Sequence, residues 1–465
     1  MSRRHVERGG RVVTRRWALG GLSAAVTGSA ALLASCAGQT PGQTGKPATG
    51  ALAPAKVTFG ISWNPDVDPW NQRLPLLRDA FLASHPGWEV EWFSGAPGHF
   101  LPSDKLVAAI AAGEPPEVSV VGGMAVAAWA TRSLVQAIDD RVRQSRIVEA
   151  DYWAPSWRQH VQKGKTWALP WNSDANFAML WNKQVFEEVG LKADQGPATV
   201  AEMEEMDKRI TRREAGRLSR LGIHPLWDTY GYENSIYTWG WVFGGEFYDE
   251  KTQKVTADHP QVIKALEWMV AWTKRNGGFD EIDAFRKTFQ TREQTPIFVG
   301  QIGMRPAHGG YVEDIARYAP EGRFGFGHLP AGPAPARPRA AWVGGWSLAL
   351  LPGSKHPEQG WELMRWLSQS VEGTSWIGKE VGWYPAYKNA PFWEEAQKDP
   401  NRAIFYEILK EARHQRPVMP ANAELGEALG KAVQSAIKEE QTPGVLLQDV
   451  TREAQRILDE RLAQS

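Results

Sequence analysis

Lys56-Val57-Thr58-Phe59-Gly60-Ile61-Ser62-Trp63 alternates in character, with Val57, Phe59, Ile61 and Trp63 on one face. A period of two over this length predicts a strand, the opening member of a parallel sheet. Outward from it, Leu74, Leu77 and Phe81 recur at helical spacing over 72–84, and Pro86 stops the run. Val90 and Trp92 alternate with Glu89 and Glu91 in a second strand. Asp104 to Ala112 reads as a helix, and Gly113-Glu114-Pro115-Pro116 turns the chain into a third strand at Glu117–Val121. Strand, helix, strand, helix, strand in so short a span predicts an α/β architecture with right-handed crossovers.

The same grammar returns later in the chain. Asp258 is placed to cap a helix through Arg275, with Pro260 in its first turn and Gly277-Gly278 closing it. Ser347–Leu351 reads as a short apolar strand. Pro357 and Glu358 open a helix through Leu367, with Trp361, Met364 and Leu367 on its inner stripe, and a final helix covers about 445–463. Residues 331–340, rich in Ala, Gly, Pro and Arg, read as a loop or crossover.

The chain has 465 residues, enough for two or three domains. It carries 53 Lys and Arg against 53 Asp and Glu, so nucleic acid is excluded as a partner on charge grounds. Its single Cys rules out an internal disulfide and a Cys-rich metal site; no metal and no cofactor are expected. Trp is over-represented, at 23 residues.

The first 35 residues read as an export signal. Arg3, Arg4, Arg8, Arg11, Arg15 and Arg16 precede an uncharged stretch from Trp17 to Ser35. Thr14-Arg15-Arg16-Trp17-Ala18-Leu19 resembles a twin-arginine motif, and Leu33-Ala34-Ser35-Cys36 resembles a lipobox in which Cys36 becomes the lipidated N-terminus. A single-pass membrane anchor is the competing reading. Without residues 1–35 the body has 47 basic and 52 acidic residues, net −5. Residues 36–55 read as a flexible tether, which would hold a globule at the outer face of the membrane.

Four ordered stretches resemble the bacterial extracellular solute-binding proteins of ABC importers, specifically the sugar-binding family. The first is Gly113-Glu114-Pro115-Pro116-Glu117-Val118, followed by Trp129, Leu134 and Ile138-Asp139-Asp140, with Glu117 where Asp is usual. The second runs from Trp167-Ala168-Leu169-Pro170-Trp171-Asn172-Ser173-Asp174 to Leu180-Trp181-Asn182-Lys183 and Phe186–Leu191. Phe298–Met304 is the third. Gly344-Gly345-Trp346-Ser347-Leu348-Ala349, with Ser354–Glu358, Trp361-Glu362 and Gly382-Trp383-Tyr384-Pro385-Ala386, is the fourth.

The resemblance implies a periplasmic-binding-protein-like fold of two α/β lobes joined by a hinge, with a ligand cleft between them. Lobe one would comprise 56–169 plus 330–380, and lobe two 170–329 plus 381–465. It implies a monomer, no catalysis, a carbohydrate ligand and the transmembrane subunits of an ABC permease as partner. Sugars offer flat C–H faces and a rim of hydroxyls, so aromatic planes beside carboxylates, amides and Arg would suit them. Trp268, Trp361 and Trp366, at apolar helical spacing, read as core; Trp153, Trp157 and Trp181 fit either role. The candidate ligand residues are Trp63, Asn64, Asp66 and Trp70 after the first strand, and Trp171, Ser173 and Asp174 past the first hinge crossing. Tyr237, Trp239 and Trp241 form a further loop cluster before Gly244-Gly245, followed by Arg305, Gly344, Gly345, Trp346, Trp383 and Tyr384. Asp174 is the first polar candidate by the resemblance, with a turn cap as its alternative. His308 reads as a surface residue.

Three other functions compete with this one. Gly345-Trp346-Ser347-Leu348-Ala349 falls one residue short of a nucleophile elbow, and Ser347 opens a strand where the elbow needs a sharp turn. A secreted glycoside hydrolase would also be Trp-rich, but its paired acids should come from different elements, unlike Glu187-Glu188 and Glu204-Glu205. A binding protein for a non-sugar solute is the remaining alternative.

Overall fold

The computed structural model describes residues 52–61, 73–95, 102–225, 231–333 and 340–464. The signal, Cys36 and most of the tether, together with Trp63, Asn64, Asp66 and Trp70, lie outside the described residues.

The opening strand, Lys56–Ile61, pairs in parallel with Glu89–Ser94 on one side and Val118–Gly122 on the other. Trp346–Leu350 adds antiparallel to Val118–Gly122, and Leu169–Pro170 completes the first five-stranded sheet. Val57, Phe59 and Ile61 pack with Leu74, Leu77 and Phe81 of the helix Leu74–Ser84 in this lobe's core, as their spacing requires. The helix Asp104–Ala111 begins where Ser103 accepts the Leu106 amide at 3.1 Å. Glu117 is buried and accepts the Thr58 amide at 2.7 Å, tying the third strand to the first.

The second sheet runs Phe324–His328, Ala178–Asn182, Ile302–Ala307, Arg217–Ile223, Arg212–Glu214. It packs with the helices Tyr232–Phe243, Pro260–Arg275, Asn422–Ile437 and Pro443–Ala463 in the larger core. The cap of Pro260–Arg275 is His259, whose Nδ1 accepts the Gln261 amide at 3.1 Å. Asp258, expected in that role, instead accepts the Thr451 hydroxyl at 3.0 Å and pins the C-terminal helix.

A small three-stranded sheet of His414–Gln415, Trp342–Gly344 and Asp174–Asn176 lies where the chain crosses between the lobes. The described part of 330–341 does not follow the expected boundary. Ala331 bridges Thr199, and Leu329 and Trp342 belong to the larger core, so this segment sits with lobe two until the chain re-enters the first sheet at Trp346. Val381 and Trp383 pack on the first lobe's core and Ala386 is buried within it, which moves that boundary a few residues later.

Candidate functional site

Three chain crossings are knotted together by hydrogen bonds at the hinge. Asn172 donates from Nδ2 to Asp174 Oδ1 at 2.8 Å, and its Oδ1 accepts the Trp346 amide at 2.7 Å. The Trp346 carbonyl accepts the Trp171 amide at 2.9 Å, and Ser173 donates its amide to the Tyr384 carbonyl at 2.8 Å. Gly345 sits at φ +136, and a Cβ there would lie 2.3 Å from the Asn172 carbonyl oxygen. Only glycine allows the 344–346 and 172–174 backbones to approach so closely.

Around this knot lies a chamber of about 240 Å³. One side presents Trp346 and Trp383, both half-buried, with ring planes 11° from parallel and centroids 6.3 Å apart. Polar groups in the lining come from several elements: Asp174, Asn176, Glu233, Asn234, His308 and Arg416. The Arg416 guanidinium lies over the Trp342 ring, 4.9 Å from its centroid, and donates to Asn234 Oδ1 and Met124 Sδ. Met124 belongs to the first lobe and its carbonyl also accepts Asn422 Nδ2 at 3.0 Å, so the two lobes touch here.

Burial pushes the Asp174 carboxyl up to about 6, against the opposing pull of Arg416 and Asn172. Glu233 is raised for the same reason, again opposed by Arg416. Burial lowers Arg416 itself, while Tyr237, Glu233 and Asp174 hold its charge. His308 falls to about 3 through burial and the nearby Arg305 and Arg292 charges, and is neutral. Its Nδ1 accepts the Gly310 amide at 3.0 Å, which leaves Nε2 as the protonated nitrogen. The chamber therefore offers two incompletely solvated carboxylates, one guanidinium and one imidazole beside two indole planes. Hydroxyl groups would supply the donors those carboxylates have lost from water.

The chamber shares His308, Gly310, Gly382 and Trp383 with an adjoining outer cavity of about 1020 Å³. The inner part is below the roughly 300–1,000 Å³ of ordinary small-molecule sites, and a ligand longer than one ring must extend outward.

The structure thus gathers Asp174, Gly344, Gly345, Trp346, Trp383 and Tyr384 at one chamber, and places Arg305 on the outer wall. Arg305 lies on the strand Ile302–Ala307, with its guanidinium over the Tyr311 ring at 4.9 Å. Tyr384 is in the lining but buried, its ring packed against Phe392, Trp393 and Phe405.

Other candidates are corrected by burial. Tyr237, Trp239 and Trp241 are not in a loop; they lie inside the helix Tyr232–Phe243, whose residues from Asn234 onward are all buried. Trp239 is fully enclosed, donating Nε1 to the Pro225 carbonyl at 2.9 Å. Trp241 stacks on His414, centroids 5.1 Å apart, and the two line a different cavity, of about 550 Å³. Tyr237 packs on Trp241 and Phe247. Gly244 ends the helix at φ +90. Trp171 is 1% exposed, parallel to Trp376 in the first lobe's core. Ser173 is buried against Ser156 at 2.5 Å. Sequence reading missed Arg416, Glu233, Asn234 and Trp342, and took His308 for a surface residue.

Two α/β lobes around a hinge-side cleft of aromatic and polar groups define a solute-binding protein. The chain belongs to the family described as bacterial extracellular solute-binding protein, whose model matches residues 69–371. A protein of Brucella abortus (strain 2308), named only as a binding protein, is 25% identical over 396 residues, 82% of this chain and 89% of its own. The maltotriose-binding protein of Pyrococcus abyssi is 24% identical over 379 residues, covering 79% of this chain and 74% of that protein. A solved structure with mannobiose bound shares the fold at a TM-score of 0.74 and 20% identity, over 86% of this chain and all of that one. These are binding proteins, not enzymes, and membership implies an exported protein. Ser347, the would-be nucleophile, is 1% exposed within its strand and bonded to His160.

Proposed function

We propose that this protein captures a mono- or oligosaccharide between its lobes and delivers it intact to the transmembrane subunits of an ABC permease. In this reading 1–35 is cleaved, Cys36 is lipidated, and a monomeric globule is tethered outside the membrane. The hinge knot is where lobe one, centred on 56–169 and 346–386, meets lobe two.

The observation that supports a sugar ligand is the pairing of the Trp346 and Trp383 planes with Asp174, Glu233 and Arg416 in one chamber. Indoles suit the C–H face of a pyranose, and ionised groups suit its hydroxyls. The names of the maltotriose-binding relative and the mannobiose-bound neighbour support the same reading. Calorimetric titration with a panel of di- and trisaccharides tests it. The expected result is saturable binding to at least one, with the sugar recovered uncleaved. Absence of binding across the panel, or new reducing ends in the recovered sugar, would overturn it.

A further inference from the structure

Methionine is oxidised where its sulfur is reached from solvent, and burial protects it. The chain has nine methionines, of which Met1 lies outside the described residues. Seven of the other eight, from Met179 to Met419, are buried, and the most open of these, Met206, is 8% exposed. Met124 alone among the described methionines is only part-buried, and it lines the chamber of Trp346 and Trp383.

The chain on either side fixes its position. Met124 sits in the turn Gly123–Ala125 that follows the strand Val118–Gly122. The Gly123 amide donates to the Gly345 carbonyl at 3.0 Å, and a Cβ on Gly123 would lie 2.7 Å from Gln159 Oε1. This ties the turn to the hinge knot and presents the thioether to lobe two. There the buried Arg416 donates to Met124 Sδ, and Asn422 Nδ2 donates to the Met124 carbonyl at 3.0 Å.

A thioether sulfur is a weak acceptor for a guanidinium, whereas oxidation makes the side chain polar and gives it an acceptor oxygen. We propose that Met124 is an oxidation site that switches the chamber. Hydrogen peroxide converts it to the sulfoxide, whose oxygen takes the Arg416 guanidinium, strengthens the contact between the lobes and denies that guanidinium to ligand. In this step a sulfur lone pair attacks one peroxide oxygen and the O–O bond breaks. That oxygen stays on sulfur, and both peroxide hydrogens leave with the other oxygen as water. Sulfur loses two electrons and the peroxide gains them. The added oxygen also takes space in a chamber of only about 240 Å³. The consequence for affinity rests on the sugar-binding reading above; the oxidation and the lobe contact do not.

The test treats the full chain with dilute hydrogen peroxide and follows it by peptide mass spectrometry, with Cys36 read on its own peptide. Met124 should gain oxygen at least about tenfold faster than any other described methionine. Once it is converted, the melting temperature should rise, and affinity for mannobiose or maltotriose should fall by about tenfold. Met124→Leu, an apolar replacement of similar volume, should melt and bind alike before and after treatment. Met124→Gln, whose amide oxygen imitates the sulfoxide, should show the weaker affinity without peroxide. Another described methionine oxidised as fast would overturn the proposal. So would conversion of Met124 that leaves the melting temperature or a measurable affinity unchanged. If the untreated protein binds neither sugar, that counts against the sugar reading, and the order of oxidation and the melting shift decide the proposal by themselves.

Discussion

Replacing Trp346 by Ala separates ligand binding from folding. The Trp346 backbone is held on both sides, its amide by Asn172 Oδ1 and its carbonyl by the Trp171 amide, so the chain path should persist without the indole. The ring is half-buried and leaves a face to the chamber beside Trp383. An aromatic side chain buries about 150–250 Å², so a sugar covering one face removes about 70 Å² from water, worth about 2 kcal/mol at about 25 cal/mol/Å². Loss of that contact weakens affinity by about 30-fold. Trp239→Ala is the control. That ring is fully enclosed and bonded to the Pro225 carbonyl, so its loss should cost about 3–5 kcal/mol of stability. Calorimetric titration and denaturant melts on both variants read the two effects apart. Unchanged affinity in Trp346→Ala, or a larger affinity loss in still-folded Trp239→Ala, would refute the assignment of ring roles.

Three further outcomes follow from the site and the signal. Because the Asp174 carboxyl is pushed up to about 6, the ligand-free fold binds an extra proton between the ordinary carboxylate range and that value. Its stability should therefore rise as pH falls through that window, while affinity for a hydroxyl-donating ligand falls, by up to about tenfold per pH unit. Asp174→Asn should flatten both trends, measured by melting and titration from pH 7.5 to about 4.5. Arg416→Met leaves Asp174 and Glu233 without their buried counter-charge and should destabilise the fold by about 3 kcal/mol, with ligand binding lost, as denaturant melts and titration would show. Cys36→Ser should yield unlipidated protein in the soluble fraction; retention in the membrane fraction, with an unprocessed mass, would favour the membrane-anchor reading instead.

The α/β order was legible because the strands at 56–61, 89–94 and 118–122 and the helices between them carry local periodicities that tertiary packing preserves. Asp174, Gly344-Gly345, Trp346 and Trp383 were legible because each belongs to a compact motif at a chain crossing, and the crossings converge. The helix Tyr232–Phe243 was not. It is buried on every side from Asn234 onward, so it lacks the polar face that marks a surface helix, and its three aromatics resemble a loop cluster. Arg416 and His308 were invisible for another reason: their roles depend on Trp342, Asn234 and Arg305, contacts set by distant segments. The Trp surplus also misled in part. Trp88, Trp129, Trp272, Trp376 and Trp393, among others, fill cores, and only Trp346 and Trp383 of the described candidates present half-buried planes to the chamber.

The claim on which the rest depends is that a saccharide ring lies on the indoles at the hinge knot. A crystal structure of the protein grown with a bound oligosaccharide tests it most directly. The account predicts a pyranose against Trp346 or Trp383 with a hydroxyl on Asp174. A sugar seated elsewhere, with that chamber filled by side chains alone, would contradict it.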